Sequence, residues 1–175
     1  MERDSSCAGA SRPRTPNTDE LRVDIPGFGA LRIAHLALDF NGTLAVDGKL
    51  LPGVKRRIAM LSGRLRIHVL TADTFGRARA ELRGLRCQLV VLGRGQQDRA
   101  KAAYVRRLVA ARTACIGNGR NDRLMLRTAA LGIAVVQAEG AAPATILASD
   151  VVVGDVRDAL DLLLEPLRLV ATLRR

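Results

Sequence analysis

Apolar residues in this chain fall in short runs separated by polar stretches with helical spacing. Leu31–Asp39 reads as a strand whose apolar part is Ile33, Leu36, Ala37 and Leu38. Asp47–Gly48 predicts a tight turn, and with it a hairpin or flap around Val46–Leu51. Pro52 suits the first turn of a helix that continues to about Leu61. Strands are expected at Leu65–Leu70, Gln88–Leu92 and Thr113–Ile116, with helices at Thr74–Leu85, Asp98–Ala110 and Asn121–Ala130. Two short β pieces follow, Gly132–Val136 and Asp150–Val153, separated by the Ala-rich stretch Ala141–Ala148. A helical region then runs from Val156 towards Arg175, with Pro166 as its break. Strands alternating with helices imply crossover units and a doubly wound, mainly parallel α/β sheet of Rossmann-like type. Residues 1–20, rich in Ser, Pro, Arg, Asp and Asn, read as a flexible tail, which leaves 21–175 as one domain.

Composition narrows the class. Aromatic residues make up 2% of the 175, so the core must be built from Leu, Val, Ala and Ile. No apolar run approaches the ~20 residues of a membrane span. Met1–Glu20 contains no apolar core of the kind a secretory signal needs. The three cysteines, Cys7, Cys87 and Cys115, form no CxxC pair, which argues for a reducing compartment and against a zinc site or a disulfide framework. The cytoplasm is the expected location. The formal charge is +11, almost all from arginine, since lysine occurs only at positions 49, 55 and 101. The arginines are scattered and there are few rings to stack on bases, so specific nucleic-acid binding is not expected.

In an open parallel sheet, ligands bind beyond the carboxyl ends of the strands. The first strand stops at Asp39-Phe40-Asn41-Gly42-Thr43, the second at Thr71-Ala72-Asp73, and the fourth at Gly117-Asn118-Gly119-Arg120-Asn121-Asp122. Taken singly, these are ordinary turn and capping residues, and Lys101 is an ordinary solvated helix charge. Together they gather carboxylates that would repel one another unless a hard cation joined them. Oxygen ligands with a phosphate are what Mg²⁺ prefers.

These segments carry a resemblance. Asp39-Phe40-Asn41-Gly42-Thr43-Leu44 resembles the first motif of the haloacid dehalogenase-like (HAD) superfamily, DxDGT, or DKTGT in the P-type ATPases. Leu70-Thr71-Ala72-Asp73 is similar to the second motif. Lys101-Ala102-Ala103-Tyr104-Val105 resembles the third, a lysine followed by an apolar helix stripe. Gly117 to Asp122 is similar to the GDGxND of the same ATPases. The resemblance covers roughly residues 31–165 and is nearest to the soluble P-type ATPase-like phosphatases.

The resemblance implies a HAD-like core with a small hairpin flap. The intervals from Asp39 to Thr71 and from Thr71 to Lys101 leave no room for a cap domain. It implies a Mg²⁺-dependent phosphatase in which Asp39 becomes an aspartyl-phosphate. Asp39, Asn41 (through its main-chain carbonyl), Asn118 and Asp122 would hold the metal. Gly42, Thr43, Thr71, Ala72, Lys101 and Asn121 would hold the phosphoryl group, and Asp39, Asn41, Thr71 and Lys101 make up the catalytic set. Two positions depart from the family pattern. Asn41 stands where most HAD phosphatases carry the Asp that acts as general acid and base, and Asn118 stands where GDGxND has its first Asp. An amide cannot exchange a proton near neutral pH. The departures favour aryl or acyl phosphates as substrates, and they keep open the alternative of a slow regulatory or binding module. An open site implies either a small phosphate ester with a second subunit as cover, or a larger substrate.

Overall fold

The computed structural model describes residues 20–72, 76–93 and 95–175. The expected tail (all but Glu20), Asp73 and the start of the helix expected from Thr74 lie outside them. The chain opens with β1 (Leu21–Ile25) and β2 (Gly29–Ile33), an antiparallel hairpin in which Leu21 faces Ile33. The strand expected over Leu31–Asp39 is therefore divided. Its first part belongs to this hairpin, and β3 (His35–Asp39) enters the main sheet. The division falls at Ala34, whose N–H donates to Arg112 while its carbonyl accepts from Arg66. Two neighbours already claim the chain there, so the hairpin partner can be kept no longer.

The hairpin turned at Asp47–Gly48 is present as β4 (Ala45–Val46) and β5 (Lys49–Leu50). Asp47 and Gly48 both have positive φ, as a tight two-residue turn requires. The first helix, α1 (Val54–Leu61), begins two residues after Pro52, which lies in the preceding turn. Next come β6 (Arg66–Thr71), α2 (Arg77–Glu81), β7 (Cys87–Val91), α3 (Gln97–Arg107) and β8 (Thr113–Gly117). A 3₁₀ turn at Arg120–Asp122 leads into α4 (Arg123–Thr128). Then follow β9 (Leu131–Val135), α5 (Pro143–Ile146), β10 (Val151–Val153), α6 (Val156–Leu164) and α7 (Leu167–Leu173), with Pro166 separating the last two.

Six strands form one parallel sheet in the order β10-β9-β8-β3-β6-β7. From β3 the chain winds outward through β6 and β7, then returns to place β8 on the other side. The winding direction therefore reverses between β3 and β8, which is where a doubly wound sheet opens its ligand crevice. Side chains alternate across the sheet. Leu36, Leu38, Ile67, Val69, Ile116 and Ile133 pack on the α1/α6 side. Ala37, Leu70, Cys115 and Ala134 pack on the α3/α4 side with Tyr104, Val105, Met125 and Leu126. Cys115 is fully buried and Cys87 only partly. The apolar C-terminal stripe packs into the core through Leu160, Leu163 and Leu169, but Leu167 points outward.

Beneath α3 runs a buried polar chain. His35 Nδ1 lies 3.1 Å from His68 Nε2, and His68 Nδ1 lies 3.0 Å from the Tyr104 hydroxyl. Burial and then the neighbouring His35 push His68 down to about 4, against an opposing pull from Gln88 and with a last, smaller push from Arg66. A histidine with a lowered folded-state pKa is neutral in the folded chain while the unfolded chain takes up protons. Stability is then full above pH 6.5 and is lost as pH falls towards 4. Urea unfolding at pH 7.5 and pH 5 is expected to show a loss of roughly 1–2 kcal/mol, most of it absent in His68→Gln. Equal slopes in the two proteins would refute this account.

Candidate active site

Asp39 is the last residue of β3 and pairs in register with Leu70, one residue before Thr71 at the end of β6. Across the reversal point, β8 ends at Gly117 and the chain turns through Asn118 to Asp122. The strand ends thus bring Asp39, Thr71, Asn118 and Asp122 to one edge of the sheet, all buried.

Lys101 reaches them from α3. Its helix turns Lys101, Ala102, Tyr104 and Val105 inward, so the lysine stem runs beside apolar neighbours and the side chain is only 1% exposed. Its Nζ donates to Asp39 Oδ1 at 2.5 Å and to Asp122 Oδ1 at 2.6 Å. Asp122 is fully enclosed, and its other oxygen accepts from the main-chain N–H of Asn118 (3.1 Å) and Gly119 (2.9 Å). Burial and the charge of Asp39 push the Asp122 carboxyl up, against the pull of Lys101 and the Gly119 amide. Burial also opposes the Lys101 charge, but the two carboxylates outweigh it and hold the ammonium above its ordinary range. With both carboxylates ionised the cluster carries two negative charges and one positive, a net −1, and a bound cation would oppose the rise at Asp122 and favour that ionised state.

The Asp39 loop is fastened from two sides. Gly42 has φ +75, and a Cβ there would lie 2.4 Å from Asn118 Nδ2, so the close approach of the two loops requires glycine. Thr43 Oγ1 donates to Asn118 Oδ1 at 3.1 Å, while Asn118 Nδ2 donates to the Gly140 carbonyl at 2.9 Å. A carboxylate at position 118 could accept from Thr43 but would face the Gly140 oxygen without a proton to offer. Gln137, just beyond β9, donates to the carbonyls of Gly42 and Thr43. The sequence pattern did not single out Gln137 or Gly140. The rule about strand ends points to the residues after Val135, but nothing local tells which of them matters.

The other expected residues are placed as follows. Asn41 is exposed, and its side chain makes no hydrogen bond among the described residues. Thr43 is fully buried, with its hydroxyl committed to Asn118. Asn121 is half-buried and donates to Gln97 Oε1 at 3.0 Å, leaving one amide N–H. Thr71 is buried and Ala72 half-buried beside it. Arg120 is exposed. Volume alone does not mark this site, since a concavity of about 500 Å³ lies at the opposite end of β6 and β7, among Arg64, Arg66 and Arg86.

The donor chemistry fits a hard divalent cation. The available atoms are oxygens: Asp39 Oδ2, which Lys101 leaves untouched, the Asn41 carbonyl and the Asn118 amide oxygen. Asp122 Oδ2 already accepts twice, so Asp122 acts chiefly through its charge. Among the described residues no group of three or more His, Cys, Asp or Glu side chains converges. Mg²⁺ commonly uses one or two carboxylates and completes its shell with water and substrate phosphate.

No family model matches the chain. A stretch of 59 residues is 61% identical to the uncharacterized protein MJ0073 of Methanocaldococcus jannaschii, spanning 34% of this chain and 63% of that protein, less than two thirds of its length. A stretch of 39 residues is 51% identical to MJ0072 of the same organism, spanning 22% of this chain and 89% of that protein. Among solved structures, the 3-deoxy-D-manno-octulosonate 8-phosphate phosphatase of Moraxella catarrhalis, in complex with magnesium, phosphate and KDO, superposes with TM-score 0.62 at 19% identity over 79% of this chain and 90% of that one. The cobalt-bound enzyme of Haemophilus influenzae gives TM-score 0.64 at 19% identity over 79% and 91%. A phosphoserine phosphatase in apo form gives 0.60 at 15% identity over 74% and 98%. At these identities the structural likeness speaks for the fold. The chain therefore belongs to one sequence family with MJ0072, and its domain has the haloacid dehalogenase-like fold.

Proposed function

We propose that the domain is a Mg²⁺-dependent phosphomonoesterase that works through an aspartyl-phosphate on Asp39. The observation that carries this reading is the buried Asp39–Lys101–Asp122 cluster at the reversal point of the sheet. A net charge of −1 attracts a divalent cation, and the two together leave a positive site for a phosphoryl dianion. The Asp39 carboxylate, the Asn41 carbonyl and the Asn118 amide oxygen would hold Mg²⁺, which when bound neutralises charge on the phosphoryl oxygens. One oxygen of the Asp39 carboxylate attacks phosphorus while the other would face the cation; the bond to the leaving oxygen breaks, and that oxygen departs as an anion protonated by solvent. Lys101 keeps Asp39 oriented and offsets charge on the transferring group, in line with the electrostatic character of such catalysis. Water then attacks phosphorus, releasing inorganic phosphate and restoring the carboxylate. Thr43 and Ala72 contribute main-chain groups to the phosphoryl site and Thr71 and Asn121 side chains, while Gly42, whose N–H is donated to Ala45, sets the turn that presents them.

No residue of this set offers a proton to the leaving oxygen, because Asn41 is an amide. The favoured substrates are accordingly small aryl or acyl phosphates. A second copy of the chain would serve as cover for the open site. No helix among the described residues is long and apolar enough to cross a membrane. Burial pushes the Cys115 thiol well up and keeps it inert.

p-Nitrophenyl phosphate tests the reading, since its leaving group needs little protonation. Turnover is expected with Mg²⁺, to be lost with a chelator, and to fall to background in Asp39→Ala. Activity that survives Asp39→Ala would sink the assignment. The absence of carboxylates at Asn41 and Asn118 favours a second reading, a slow phosphorylatable module. For that module, acetyl phosphate would label wild type but not Asp39→Ala, with no turnover of the ester.

A further inference from the structure

We propose that Gln137 is a positioning residue for the nucleophile loop, an inference that rests on the Asp39 phosphatase reading. Gln137 Nε2 donates to two successive carbonyls, Gly42 at 3.1 Å and Thr43 at 2.7 Å. Its Oε1 accepts from the N–H of Val156, the first residue of α6, at 3.0 Å. The amide can point only one way, because the carbonyls are pure acceptors and the Val156 N–H is a pure donor. A single half-buried side chain therefore ties the loop after Asp39 to the start of a core helix.

The tie has a physical purpose. Gly42 adopts φ +75, which turns its carbonyl and that of Thr43 towards the same place, where their dipoles repel. The two N–H groups of one amide satisfy both. Each peptide is planar and trans, so holding these carbonyls also holds the N–H groups of Thr43 and Leu44 on the opposite side. The remaining ties within the loop are local: Gly42 N–H to Ala45 O at 2.8 Å, Ala45 N–H to Phe40 O at 2.9 Å and Thr43 N–H to Phe40 O at 3.4 Å. These shape the turn but do not fix its position against the sheet. Phe40, Leu44 and Ala45 seat it in the core by apolar packing, and Gln137 and Asn118 hold it by hydrogen bonds from two sides, Gln137 through a bond that reaches α6.

Glutamate in its place would keep the bond from Val156 but set a carboxylate against two carbonyl oxygens. The neutral acid would regain one O–H donor. This gives a signature that loss of bulk packing would not produce.

The test compares wild type, Gln137→Leu and Gln137→Glu by amide hydrogen exchange and by p-nitrophenyl phosphate turnover with Mg²⁺. In Gln137→Leu, protection at Gly42 and Ala45 is expected to fall about tenfold or more while the central strands keep theirs. The kcat is expected to fall about 10–100-fold with KM within roughly threefold, as misplacement of a reacting group does. Gln137→Glu should match it at pH 8 and recover relative to wild type towards pH 5. Unchanged protection in both variants would overturn the clamp, as would a uniform loss across the whole domain. Lost protection with unchanged kcat, or no recovery of Gln137→Glu at low pH, would overturn its role in positioning Asp39. If wild type itself fails to turn over the ester, the phosphatase reading falls, and the exchange measurement still decides whether Gln137 holds the loop.

Discussion

Lys101→Met is expected to lower the unfolding free energy by about 3–5 kcal/mol, measured by urea denaturation at pH 7.5 in the presence of a chelator. The two side chains have similar length and bulk, so little packing is lost. What goes is the one positive charge between Asp39 and Asp122, which it contacts at 2.5 and 2.6 Å. Asp122 is fully buried and cannot turn to solvent, and its second oxygen is already held by two main-chain amides. Removing a partner from a buried ion pair leaves an uncompensated charge, and that penalty far exceeds the worth of a surface pair. A loss below about 1 kcal/mol would mean that the lysine is solvated and that the cluster is not a closed charge network.

The second large effect is a gain. Asn41→Asp is expected to raise turnover of an alkyl phosphomonoester by about 10²–10⁴-fold, the usual contribution of a positioned general acid and base. Turnover of p-nitrophenyl phosphate should change less, because its leaving oxygen needs no proton and it gains only from the base that activates water in the second step. The substitution conserves shape at an exposed position whose side chain makes no hydrogen bond among the described residues, so the turn should hold. An alkyl ester rate that stays flat would show either that protonation of the leaving group does not limit the reaction or that position 41 does not face it. By contrast, an aspartate at Asn118 would lose the bond to the Gly140 carbonyl, so the two departures from the family pattern are not equivalent.

Much of the fold was legible in the order of apolar runs. Every strand of the parallel sheet lies within a residue or two of an expected one, apart from the division at Ala34. Residues placed by strand ends, namely Asp39, Thr71, Asn118 and Asp122, also lie where expected. The hairpin of β1 with β2 was not legible. Both strands show alternation, but alternation gives a face and not a partner, and Ile33 reads equally well as part of a long β3. Lys101 illustrates the same limit from the other side. On its helix it reads as a solvated charge, and only the resemblance marked it; its burial follows from the packing of α3 against the loop after β8.

The local order of residues is enough to say that strands and helices alternate, where each strand stops, and that short acidic and glycine-rich segments stand at those stops. These are properties of neighbouring residues and need no knowledge of the rest of the chain. Whether Asn118 serves as a metal donor or a brace, how Gln137 meets Gly42 and Val156, and how His68 comes to lie between His35 and Tyr104 depend on residues far apart in sequence. Such contacts exist only once the sheet has chosen its strand order. The direction of winding on either side of β3 brings Asp39, Lys101 and Asp122 within hydrogen-bonding distance, and their shared burial gives them their electrostatic character.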